Sequence, residues 1–293
     1  MNLETINDDE IESNCFRNIK NRQDWWVSFR DLYIKTKDYL DDDFWKKDPI
    51  HKSDKNFKSK LWEMIVINYF IEKDSKIIKT TNKIKKGGPD IQIQIKSGRY
   101  LCVECVVATR GNNPNEKFYE NQHYNGTVEE YNRSKIVRLC NSIEEKYDKL
   151  QKYYQNNIVA KNDLYIIAVN SDFGVDTFEL DNLERLLYGK ADMVTELNVE
   201  NKTRKDYFNQ KLTVNKITKK GEFVDLNNGI FLNSAYENLT GVLYSGFPNI
   251  NSMERSCFSM GFNKNFSKIQ SEVEQYFCSY SFLEGDQLMR KLI

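Results

Sequence analysis

Apolar positions fall into a few distinct rhythms along the chain. Trp25, Trp26, Phe29, Leu32, Tyr33 and Leu40 recur at helical spacing, which predicts an N-terminal helical lobe over residues 1–55. A second helix is predicted from Asn56 to Glu72, where Leu61-Trp-Glu-Met-Ile-Val-Ile-Asn-Tyr-Phe-Ile71 is apolar nearly all round. Such a helix is buried, so its polar interruptions, Glu63 and Asn68, must reach water or find a partner inside.

The period then drops to two. In Gly87-Gly-Pro-Asp-Ile-Gln-Ile-Gln-Ile95, alternation places Asp90, Gln92 and Gln94 on one face and Ile91, Ile93 and Ile95 on the other. Lys96-Ser-Gly-Arg99 turns the chain into a second strand, Tyr100 to Ala108, on which Cys102, Glu104 and Val106 share a face. The hairpin can bring one acidic residue from each strand to the same side. Ser134 to Tyr154 reads as an amphipathic helix with the stripe Ile136, Cys140, Ile143, Tyr147 and Leu150. Leu164-Tyr-Ile-Ile-Ala-Val169 then suits a strand covered on both faces.

Helix, hairpin, helix, strand is the order of an α/β fold with a mixed central sheet flanked by helices. Beyond Phe173, Leu180–Leu187 reads as helix, Leu197–Asp225 as polar and loop-rich, and Leu239–Ser245 as another inner strand. Residues 56–293 are therefore expected to form one domain with its core at about 56–172, the remainder completing the sheet or adding an accessory lobe.

Composition narrows the function classes. With 40% hydrophobic residues over 293 positions, global disorder is excluded. The 43 basic and 43 acidic side chains cancel, so a polyanion site has to be a local patch. Lys76, Lys79, Lys83, Lys85 and Lys86 gather ahead of Gly87, as either a solvated edge or a contact surface. No stretch approaches the roughly 18–20 apolar residues of a membrane span, and the first fourteen residues do not have the form of a secretory signal. A soluble, cytoplasmic protein is the expectation, with specialised secretion left open. Cys102 and Cys105 stand three apart on a strand and so face opposite ways, which suits structural thiols better than a zinc site. His51 and His123 alone give little material for histidine chemistry.

Trp62-Glu63 in a helix, Gly88-Pro-Asp90 opening a strand and Val103-Glu104-Cys-Val-Val107 on the next, with thirteen residues between Asp90 and Glu104, resemble the PD-(D/E)xK superfamily of restriction-endonuclease-like nucleases. Lys135-Ile-Val-Arg138, Glu145-Lys146, Tyr165-Ile-Ile-Ala-Val-Asn170 and Gly241-Val-Leu-Tyr-Ser245 resemble an uncharacterised bacterial branch of it. The resemblance runs mainly from Leu61 to Asn170 and implies a restriction-endonuclease-like core. It also implies a metal-dependent nuclease, acting on DNA ahead of RNA, with Asp90 and Glu104 binding Mg²⁺ or Mn²⁺ and Glu63 assisting. Arg138, Lys135 and Arg110 become candidate nucleic-acid contacts.

Each carboxylate also has a plainer role. Asp90 after Gly-Gly-Pro can shape a turn, and Glu63 can bond a neighbouring side chain. Glu104 is harder to explain structurally, because burying a lone carboxylate is costly.

The departure is Val106, which stands where the superfamily carries a lysine two residues after the second acidic residue. At about 100° per residue Lys146 lies on the boundary of its helix's apolar stripe, from which its stem can carry the ammonium into the site. Lys146 either replaces the strand lysine or is a solvated lysine paired with a nearby glutamate. The rival reading of the whole chain is a catalytically degenerate nuclease fold that binds nucleic acid or protein, a secreted bacterial effector among the forms it takes.

Overall fold

The apolar run that begins at Leu61 is a buried helix. The computed structural model describes residues 23–40, 54–78, 87–109, 128–171, 179–198, 203–210, 213–245, 258–263, 268–277, 279–284 and 287–292. Helix α1 is Gln23–Thr36 and helix α2 is Asp54–Glu72. Trp62, Met64, Ile65, Val66, Ile67 and Phe70 of α2 are buried, and the Trp62 indole N–H donates to the Ala168 carbonyl at 2.9 Å. No single apolar stripe is needed, because α2 lies between the sheet and α1. Phe29 and Leu32 of α1, together with Leu40, enter the same hydrophobic cluster. The described part of the expected N-terminal lobe is thus a layer on this core. Asn68 donates to the Glu72 carboxylate at 2.9 Å.

Four strands carry the hairpin and its neighbours: β1 (Lys76–Ile77), β2 (Ile91–Gln94), β3 (Tyr100–Ala108) and β4 (Leu164–Ser171). β2 pairs antiparallel with β3, Ile91 opposite Val103 and Gln94 opposite Tyr100, and the turn between them has Gly98 at φ 82°. β3 pairs parallel with β4, Glu104 opposite Ile167. A parallel pair needs a crossover, and helix α3 (Val128–Gln155) supplies it.

Later in the chain come helix α4 (Glu179–Tyr188) and strands β5 (Lys190–Asn198), β6 (Thr203–Gln210), β7 (Thr213–Ile217) and β8 (Phe223–Asn227). They are followed by β9 (Gly241–Ser245), β10 (Ser259–Phe262), the short helix α5 (Gln270–Val273), β11 (Ser279–Glu284) and β12 (Gln287–Leu292). The main sheet has eight strands in the order β1-β2-β3-β4-β9-β10-β11-β12, with β4/β9 and β10/β11 also parallel.

Alternation along the inner strands sorts side chains between two cores. Leu101, Val103, Cys105 and Val107 of β3, with Leu164, Ile166 and Ala168 of β4, face the α1/α2 side. Cys102 and Ala108, with Tyr165, Ile167 and Val169, face Ile136, Cys140, Ile143, Tyr147 and Leu150 of α3 and Leu183, Leu186 and Leu187 of α4. Cys102 and Cys105 therefore lie on opposite sides of the sheet. Helices cover both faces, so the central strands read as continuous apolar runs. Among the described residues no helix is long and apolar enough to cross a membrane.

The stretch from Leu197 to Asp225, expected to be loop-rich, instead forms most of two hairpins, β5/β6 and β7/β8, each a separate two-stranded sheet. The β7/β8 hairpin escapes a periodicity search because it does not bury a whole face. Val214 and Leu226 pack on the α3 side, whereas Phe223 and Val224 are exposed. Lys216 reaches back to donate to Asn141 of α3 at 3.1 Å.

Trp62 joins α2 to β4 by packing and by a hydrogen bond. Trp62→Ala is expected to lower stability by about 3–5 kcal/mol in urea unfolding; a loss below about 1 kcal/mol would show that the site collapses around the cavity and does not depend on the indole.

Candidate functional site: a carboxylate pair and the α3 lysines

Asp90 is the residue before β2, so continuing the β2/β3 register by one sets it opposite Glu104 on the face covered by α3. One Asp90 oxygen, Oδ2, accepts the Cys105 backbone N–H at 2.7 Å. That bond fixes the carboxylate against the neighbouring strand.

Glu104 has no solvent exposure. An unpaired carboxylate there would cost several kcal/mol, and α3 prevents this with three donors. The Lys146 ammonium donates to Oε2 at 2.8 Å, the Lys149 ammonium reaches the same oxygen at 3.3 Å, and the Tyr153 hydroxyl donates to Oε1 at 2.5 Å. Residues 146, 149 and 153 are three and four apart, which aligns them on one face of the helix. Lys146 also lies 3.7 Å from Asp90 Oδ2, so one ammonium bridges both carboxylates. The helix is held in turn by the Tyr165 hydroxyl, which donates to the Lys146 carbonyl at 3.0 Å.

The charges in this cluster are two carboxylates and two ammoniums. Burial alone would lower the Lys146 ammonium, but Asp90 and Glu104 more than reverse that and hold it above the ordinary lysine value. Burial, and after it the Asp90 charge, push the Glu104 carboxyl upward, with Lys146 and Lys149 pulling against them. Burial and the adjacent Glu104 push the Tyr153 phenol far up, so it stays an O–H donor.

Of the residues singled out in the sequence, the structure brings Asp90, Glu104 and Lys146 together. Glu63 approaches from the other face. It sits 3.8 Å from Lys60 on α2, and its charge is felt by Cys105, whose thiol is raised by burial first and then by Asp90 and Glu63. Val106 is half-buried and packs against the α3 side. Lys135 is 4% exposed, which withdraws it from solvent, while Arg138 is half-buried. At 1.5 Å per residue they lie roughly 16 Å and 12 Å from Lys146 along the helix axis. Arg110 and the lysines at 79, 83, 85 and 86 lie outside the described residues. Lys149 and Tyr153 were not anticipated, although their spacing from Lys146 was the available signal.

Two oxygen ligands on adjacent strands suit a hard divalent cation in donor chemistry, with water completing its shell. Among the described residues no group of three or more His, Cys, Asp or Glu side chains gathers into a fuller cage. Further along the same face, where Tyr100 stands four residues before Glu104 on β3, a cavity of about 510 Å³ is lined by Gln92, Tyr100, Tyr154 and Asp163, and none of Asp90, Glu104 and Lys146 lines it. Comparison of the chain with protein-family models, with curated proteins and with solved structures returned no match.

Neutralising Lys146 should expose the cost of the buried carboxylate. Lys146→Met is expected to lose about 3 kcal/mol, the low end for breaking a buried pair because Lys149 remains. Lys146→Met/Glu104→Gln should regain a large part of that in denaturant unfolding. A double variant no more stable than Lys146→Met alone would mean that the pair is not what the lysine stabilises.

Proposed function

We propose that Asp90, Glu104 and Lys146 form the catalytic centre of a metal-dependent nuclease of the PD-(D/E)xK kind, cutting DNA in preference to RNA, with the lysine delivered by α3. The observation that carries this reading is the convergence of one ammonium on two carboxylates from adjacent strands, 2.8 Å and 3.7 Å away. Asp90 and Glu104 would hold Mg²⁺ or Mn²⁺. Such an ion supplies a polarised water and neutralises charge on the phosphate.

The chain's own residues do the rest. Asp90 is fixed by the Cys105 N–H and Glu104 by Tyr153, so both carboxylates are oriented in advance. Lys146 keeps its proton and offers it as a hydrogen bond to the developing charge on the scissile phosphate. Lys149, with a side chain 40% exposed, is placed to draw the phosphate in. Tyr100 and Tyr154 beside the cavity offer rings on which a base can stack.

A second reading is favoured by one observation: Glu104 is engaged by three donors already. On that reading the cluster is a structural ion pair, and the fold binds nucleic acid or protein without cutting.

Purified protein incubated with plasmid, single-stranded DNA and RNA, with Mg²⁺, with Mn²⁺ and with EDTA, separates the two. Metal-dependent cleavage is expected, abolished in Asp90→Asn and reduced on the order of 10²–10³-fold in Lys146→Ala. Intact substrates under every metal condition would leave the binding reading in place.

A further inference from the structure

Lys146 holds a position that invites a different occupant. Its ammonium sits between Asp90 Oδ2 and Glu104 Oε2, the two oxygens that would coordinate a divalent ion. Two cations cannot share that space, because their repulsion at such separations is not screened by solvent in a site where Glu104 is fully buried.

The anchors that keep the carboxylates in place are independent of Lys146. Glu104 Oε1 is held by the Tyr153 hydroxyl, and Asp90 Oδ2 by the Cys105 N–H. Withdrawing the ammonium therefore leaves two placed carboxylates with one ammonium, Lys149, still 3.3 Å from Glu104 Oε2, so the seat keeps a net negative charge. Its tether permits that withdrawal, since the four-carbon stem is flexible and the side chain is still 13% exposed.

We infer that Lys146 is a built-in cation that occupies the divalent-metal seat and is exchanged out of it when the metal binds. The inference rests on the metal-dependent reading above and adds how that site is regulated. In the resting protein the seat is neutralised internally, which keeps Glu104 satisfied and the fold stable. Metal entry expels the ammonium by a few Å, still tethered beside the seat, where it faces the phosphate. The same lysine therefore opposes metal binding and assists the chemistry, and removing it changes the two in opposite directions.

The test is calorimetric titration of Mn²⁺ and Mg²⁺ into wild type, Lys146→Met and Asp90→Asn. Lys146→Met is expected to bind the ion at least about tenfold more tightly than wild type, because the competing charge is gone and the seat remains. Asp90→Asn is expected to lose binding. Equal or weaker binding by Lys146→Met, with wild type still binding, overturns the exchange while leaving the metal reading intact; no binding by either protein overturns both. Wild type provides a second readout that does not depend on the variant folding. Competitive acylation read by mass spectrometry should show Lys146 becoming several-fold more reactive at saturating Mn²⁺, with exposed Lys161 as the internal reference. Unchanged Lys146 reactivity with the ion bound overturns the exchange.

Discussion

A carboxylate with no access to water, in the middle of a strand covered on both faces, is the constraint around which the candidate site is arranged. Glu104 would be expelled from the sheet or protonated unless donors came to it. Three do, all from one face of α3, and Asp90 is drawn into the same arrangement by the bridging ammonium. An apolar residue of similar size would fill this place at less electrostatic cost. The charged arrangement is therefore not required for stability, which is consistent with the catalytic role proposed for it.

Topology brings the donors to Glu104. β3 and β4 are parallel, so the chain must cross over the sheet between them, and α3 makes that crossing on the face where Glu104 points. A lysine on the crossover helix can therefore stand over the strand, as a lysine at Val106 would stand beside it. The antiparallel partner β2 contributes Asp90 through its register with β3. Three elements thus meet at one point, and Tyr165 on β4 ties the helix backbone to the fourth.

The hairpin, the buried helix and the inner strands were legible because each has a strong period. Ile91–Gln94 pairs with Tyr100–Val103 as the alternation requires, and Leu164–Ser171 is buried on both faces. The β7/β8 hairpin was not, because its strands stay largely exposed, and strands that do not bury a continuous face leave no period-two signal. Within the site, the convergence of Asp90 with Glu104 could be read from strand alternation. Lys149 and Tyr153 stand three and seven residues after Lys146, a spacing visible in the sequence, but their convergence on Glu104 appears only once the helix is placed over β3. The burial of Lys135 was hidden for the same reason, because charge alone suggests solvent.

In the proposed nuclease the α3 lysine does the work of a strand lysine. The most direct measurement is the rate of metal-dependent DNA cleavage by Lys146→Ala and by Lys146→Ala/Val106→Lys, which moves the ammonium from the helix to the same face of β3 as Glu104. The double variant is expected to recover at least about tenfold of the rate lost in the single one, part of the 10²–10³ that such a charge contributes. Full cleavage by Lys146→Ala alone, or no recovery in a double variant that folds and binds metal, would contradict it.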